Sequence, residues 1–182
     1  GEMSGRTEGG AKDHDLSAES RDAADDSKSE HSTPTDSSPI GILPLSDSRI
    51  ALGVALPFGS IDASTLIAFC QSAKTAGATG IRPAPGRSLL VMGLDRASAT
   101  ALTATARTLG LVTSPEDARI RIAACPGAPA CASGMIAARD VASDIAAEVG
   151  ETLEPTLSLH VSGCAKGCAH PGPAAVTIVG DE

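Results

Sequence analysis

The sequence predicts an α+β chain in which two folded parts follow a polar leader. Three observations carry this. Residues 1–40 hold almost no large apolar side chains and are rich in Ser, Asp, Glu and Gly. Residues 44–114 alternate strand and helix signals in the order β-α-β-β-α, the order of a ferredoxin-like unit. Residues 115–182 set short strands around one helix and carry four cysteines in two tight pairs. The expected divisions are therefore a disordered acidic leader over 1–43, a ferredoxin-like half over 44–114, and a cysteine-bearing α/β part over 115–182.

The leader comes first. Residues 1–48 hold 11 Asp/Glu against 4 Lys/Arg, a net of −7, which leaves 11 against 10 for the remainder. A segment this polar cannot offset the entropy of ordering. Arg49–Leu56 is expected to be a strand. Asp62 to Ala76 is expected to be a helix, with Ser60 or Asp62 as cap and Gly77 as stop. Leu66, Ile67, Cys70 and Ala73 share one face at helical spacing. Ala78–Arg82 and Ser88–Gly93 are expected strands joined by a Pro83–Gly86 turn. Asp95 caps a second helix that runs to Leu109 and stops at Gly110. A short strand, Arg119–Ala123, is expected to deliver the first cysteine pair. A helix over Met135–Val149 should bury Ile136, Val141, Ile145 and Val149. Strands over Leu157–Val161 and Ala175–Val179 follow. The chain lacks an initiator Met and stops just after a strand, so it reads as a fragment.

Composition excludes several classes. No basic block exists of the kind that neutralises nucleic-acid phosphates. No apolar run approaches the roughly 20 residues that cross a bilayer. The N-terminus lacks an apolar signal core, so a cytoplasmic chain is expected. With two Phe and neither Trp nor Tyr, the core must be built from small aliphatic side chains.

The cysteines are the densest signal. Cys125 and Cys131 form a C-x5-C; Cys164 and Cys168 form a C-x3-C. Four thiolates are the normal complement of one [4Fe–4S] cluster. The glycines and prolines around them suit a backbone that bends closely and aims N–H groups at sulfur. Zinc is the chemical rival, although its cysteines usually stand two to four apart, which C-x5-C does not satisfy. Disulfides do not suit a chain without an export signal. Four unrelated buried thiols is the plainest alternative. Cys70, on an apolar helix face, reads as a packing residue. His160 reads as a buried strand residue. His170 and Lys166 lie beside the second pair, facing a ligand or merely solvated.

The wording around these cysteines resembles a known family. Ala124–Cys131 (ACPGAPAC) and His160–Pro171 (HVSGCAKGCAHP) are similar to the sirohaem nitrite/sulfite reductase superfamily, and within it to the precorrin-3B synthase branch. Ile81–Arg87 (IRPAPGR) resembles that branch's strand-turn-strand motif, in which two arginines flank a proline-bearing turn. The reductases tend to carry Thr and Gln in this turn and Pro-Asn inside the second pair; this chain has neither. The resemblance covers about residues 44–180.

The resemblance implies a nitrite/sulfite-reductase-type [4Fe–4S] domain held by Cys125, Cys131, Cys164 and Cys168. It implies O2-dependent hydroxylation of precorrin-3A, with lactone formation, in aerobic cobalamin biosynthesis. NADH would be the ultimate electron source, through an electron donor protein or reductase, and there is room for an additional iron whose ligands cannot be named. The family is built of two pseudo-repeats, and this chain matches a C-terminal half, so the absent N-terminal half is an expected partner. Arg82 and Arg87 would bind carboxylates of the tetrapyrrole in a shared cleft, since guanidinium pairs with carboxylate bidentately. Arg119 and Arg121 would reach the same cleft from the strand before Cys125. A sirohaem reductase piece and a non-catalytic Fe–S electron-transfer module are the alternative readings. No catalytic residue is named.

Overall fold

The computed structural model describes residues 38–45, 48–150 and 152–181. The expected leader lies outside the described residues as far as position 37.

The first half is an antiparallel sheet with two helices against it. Strand β1 (Gly41–Pro44) pairs with β2 (Ile50–Ala55), Gly41 opposite Gly53. After helix α1 (Ala63–Thr75) come β3 (Gly80–Ala84) and β4 (Ser88–Leu94), then helix α2 (Arg96–Thr108). The spatial order is β1-β2-β4-β3. In a ferredoxin-like sheet the place beside the first core strand belongs to the last strand. Here β1 takes most of it, and Val112, after α2, continues it with a bridge to Ala55. β1 begins at Gly41, inside the stretch assigned to the leader. Four residues pairing with a distant strand leave no periodic signal of their own. The close approach depends on Gly53, because a Cβ there would stand 1.6 Å from the Pro39 carbonyl oxygen.

The helix boundaries follow local chemistry. The Asp62 carboxylate accepts from Thr65 N–H at 2.8 Å, and that of Asp95 accepts from Ser98 N–H at 2.7 Å. Each satisfies an orphan donor of the first turn. Gly77 and Gly110 then take positive φ (87° and 82°), as the turns after the helices require. The buried face of α1 differs from the expected one. Phe69 and Ala73 are buried, whereas Ile67 is 56% exposed and Cys70 is exposed. Phe69 fixes the rotation by packing among Leu52, Val54, Val91 and Leu102. Cys70 is therefore not a packing residue. Pro83, expected in a turn, lies within β3, which tolerates it as an edge strand without a second ladder partner.

The second half is a parallel sheet of β5 (Ile122–Ala124), β6 (Leu159–Ser162) and β7 (Val176–Val179), in that spatial order. Helix α3 (Ala138–Val149) covers it through Ala138 and Ala142. Ile136, Val141 and Ile145 pack at the margin of this core, and Val149 is 42% exposed, contrary to expectation. Small alanines sit in the centre because the helix approaches the sheet closely. The strand expected over Arg119–Ala123 is displaced. Residues Ala118–Ile120 form a 3-10 turn whose first N–H bonds are organised by Asp117, and the strand starts at Ile122.

Both halves belong to one unit. Phe58, with φ of 51° in the turn after β2, is buried among Ile122, Val161 and their neighbours in the second core. No helix among the described residues is long and apolar enough to cross a membrane.

Candidate functional site

Parallel sheets gather their ligand-binding loops at the carboxyl ends of the strands. Cys125 is the first residue after β5, and Cys164 follows β6 by two residues. Because β5 and β6 are neighbours, the loops carrying the two cysteine pairs leave the sheet side by side.

Glycine lets them touch. A Cβ on Gly163 would stand 2.8 Å from the Gly127 Cα, 3.4 Å from Cys125 Sγ and 3.5 Å from the Gly134 Cα. A Cβ on Gly134 would stand 2.5 Å from the Ala128 nitrogen, and one on Gly127 2.4 Å from the Ile136 oxygen. Three glycines thus pack backbone on backbone where the loops meet. Gly163 N–H donates to Cys125 Sγ at 3.0 Å, and Met135 N–H donates to the Gly163 carbonyl at 2.7 Å. Lys166 Nζ, between Cys164 and Cys168, donates to Ser133 Oγ at 2.9 Å. The first loop is pinned internally by Cys131 N–H to Gly127 O at 2.8 Å and Gly134 N–H to Cys131 O at 2.9 Å.

The four thiols are graded in exposure. Cys125 is buried, Cys131 and Cys164 are half-buried, and Cys168 is exposed. Among the described residues no three His, Cys, Asp or Glu side chains gather closely enough to hold one metal ion. A tetrahedral zinc centre would need that convergence. A four-iron cluster takes one thiolate per iron and so spreads its ligands wider. The donor set, the backbone N–H aimed at Cys125 and the glycine-lined approach fit such a group.

The arginines do not share one cleft. Arg82 is exposed on edge strand β3 and lines a hollow of about 200 Å³ with Leu45, Arg49 and Met92. Arg87, at the opposite end of the β3–β4 hairpin with φ of 60°, turns toward the second half. Its Nη1 donates to the Ile122 carbonyl and its Nη2 to that of Ile120, both at 3.1 Å. Partial burial lowers its pKa from the ordinary guanidinium value. Arg119 and Arg121 also part company. Arg119 pairs with Asp117 (Nη2 to Oδ2 2.6 Å) and donates to the Gly110 carbonyl. Arg121 donates from Nη2 to the Leu153 carbonyl at 3.1 Å and borders the same cavity as Arg87. The extra residue of the 3-10 turn breaks the alternation that would have put Arg119 and Arg121 on one face.

His160 is buried on β6, its ring 5.8 Å from that of His170 and nearly perpendicular to it. Its Nε2 has no hydrogen-bond partner, and burial, with His170 adding, pushes its pKa down. Gly167, inside the second cysteine pair, lies over this ring.

No protein-family model matches the chain. Among curated proteins, a precorrin-3B synthase from Sinorhizobium sp. is 33% identical over 140 residues, which is 77% of this chain and 30% of that protein. The chain is a homologue of precorrin-3B synthase. It spans less than a third of this synthase. A solved structure of the Mycobacterium tuberculosis NirA protein matches with a TM-score of 0.65 at 25% identity, covering 74% of this chain and 26% of that one. The fold of this synthase homologue is therefore the mixed α+β arrangement of the NirA match. Sequence reasoning singled out the cysteines but not Gly127, Gly134 and Gly163, nor Ser133. A glycine at each point where two loops must cross was the available signal.

Proposed function

We propose that this chain is the cluster-bearing portion of a precorrin-3B synthase-type oxidoreductase acting on precorrin-3A. The observation that carries the reading is the seam between the cysteine loops, where Gly163 N–H meets Cys125 Sγ at 3.0 Å. It supports Cys125, Cys131, Cys164 and Cys168 as ligands of one [4Fe–4S] group. That group, when bound, supplies single electrons, with NADH as their ultimate source and O2 as the oxygen donor.

The chain's own residues would do the rest. The Gly163 N–H favours the anionic state of the Cys125 sulfur, because a donor aimed at a thiolate stabilises its charge. Lys166 places a cation between two ligands, which favours the more negative, reduced state. Arg82 and Arg87 would bind substrate carboxylates from separate hollows rather than from one cleft. The pseudo-repeat expected from the family, absent from this chain, would complete the tetrapyrrole pocket.

Anaerobic reconstitution with iron and sulfide tests the reading. Four irons and four sulfides per chain, an EPR signal on reduction and broad visible absorption are expected. Chlorin-type bands in the purified protein would turn the assignment to a sirohaem reductase piece. Fewer than two irons per chain after reconstitution would sink the cluster. Turnover of precorrin-3A is to be measured with the pseudo-repeat partner added back.

A further inference from the structure

A cavity of about 240 Å³ lies where the β3–β4 hairpin meets the second half, and no carboxylate lines it. Its polar side chains are Arg87, Arg121, Ser158, Thr156 and His170. Two guanidinium groups thus face one small space. Neither forms an ion pair among the described residues. Arg87 is partly desolvated, and its recorded partners are two main-chain carbonyls. Arg121 has one recorded partner, the Leu153 carbonyl, and its Nε is buried with none. The acid that Arg121 influences, Asp117, is already gripped by Arg119 through both oxygens (2.9 Å and 2.6 Å). A desolvated cation is costly without an opposite charge, and a buried donor is costly without an acceptor. A carboxylate supplies both, and guanidinium presents the fork that fits it.

The volume sets what can enter. Pockets for whole ligands run from about 300 to 1,000 Å³, so this space takes an arm and not a macrocycle. His170 is two residues past Cys168, which puts the cavity on the flank of the second cysteine loop.

We infer that this cavity is a carboxylate-binding subsite, built from Arg121 and Arg87 with His170 at its edge, that receives one acidic side arm of the substrate. The anion site stands on the cavity alone; the identity of the arm as part of a tetrapyrrole rests on the function proposed above. Arg82 takes no part in it.

The test uses the full reconstituted chain and two probes. Uroporphyrin III, a tetrapyrrole with eight carboxylates, is titrated by fluorescence against wild type, Arg121→Gln and Arg121→Lys. Arg121→Gln should weaken binding roughly tenfold or more, the usual cost of losing a charge-assisted hydrogen bond, and Arg121→Lys should recover only part. Where Arg121→Gln does not fold, Ala123→Leu fills the cavity with both arginines in place and should give the same loss. Affinity within twofold of wild type in a folded variant would overturn the subsite while leaving tetrapyrrole binding intact. If wild type binds no uroporphyrin, the tetrapyrrole reading fails, and sodium propionate decides the anion site. Propionate should raise the urea midpoint of wild type above that in sodium chloride of equal ionic strength, and should not do so in the folded cavity variant. Equal midpoints in the two salts for wild type would remove the subsite altogether.

Discussion

Lys166 Nζ donates to Ser133 Oγ at 2.9 Å, joining the second cysteine loop to the segment that follows the first pair. The contact is exposed and spans 33 positions of sequence. In high dielectric such a contact adds little to stability. What it does is hold a positive charge at a fixed place between Cys164 and Cys168.

Replacing Lys166 with Gln should therefore change electron affinity more than stability. The urea midpoint should shift by less than about 0.5 kcal/mol in equivalent free energy. The reduction potential of the reconstituted protein should become more negative, because a cation near the cluster favours its reduced form. Protein-film voltammetry checks this; an unchanged or more positive potential would contradict it.

Gly163→Ala should part the two loops. Its Cβ would stand 2.8 Å from the Gly127 Cα, closer than backbone atoms allow. Overpacking of this kind costs roughly 1–3 kcal/mol. The expected outcome is a lower urea midpoint together with fewer irons retained per chain. Full iron loading at wild-type stability would mean that the loops are not held by this contact.

Cys164→Ser and Cys168→Ser should each lose the cluster and loosen the second half, since ligation and folding are coupled. Cys70→Ala is the control. Cys70 is exposed on α1, in the first half, and its removal should leave iron content unchanged. Iron analysis of the three variants, prepared identically, separates ligand from bystander.

Asp117 should make part of the stability acid-sensitive. Burial raises its pKa, but the hydrogen bonds from Arg119 and the attraction of Arg119 and Arg121 outweigh this and hold it below the ordinary carboxylate value. Its folded pKa lies under its unfolded pKa of about 3.9. The contribution is therefore complete above about pH 4 and disappears as pH falls through the lower folded value. Asp117→Asn should destabilise the protein at pH 7 by up to about 1 kcal/mol, the scale of a partly exposed pair. The difference from wild type should shrink below pH 3. A gap that stays constant down to pH 2 would assign the effect to something other than charge.

Much of this was legible in the residues. The caps at Asp62 and Asp95, and the stops at Gly77 and Gly110, use local chemistry that needs no partner. The cysteine pairs were legible because thiols framed by Gly and Pro have few other uses. What escaped depended on distant partners. β1 exists because β2 offers it an edge. The face that α1 buries is chosen by where Phe69 finds space, not by the spacing of Leu66, Ile67 and Cys70. Arg82 and Arg87 looked like twins from their positions around a turn, yet the left-handed backbone at Arg87 sends its side chain toward Ile120 and Ile122.

The placement of β1 carries one more consequence. Residues Ala51–Gly53 are shielded on one side by a segment that precedes them. Trimming the protein to start at Pro44 would bare a row of unsatisfied amides and carbonyls on β2, and an open margin of that kind recruits other chains. A shortened version should self-associate in solution before it loses its helices. Preparations intended for cluster loading are better begun upstream of Pro39, whose carbonyl lies against Gly53.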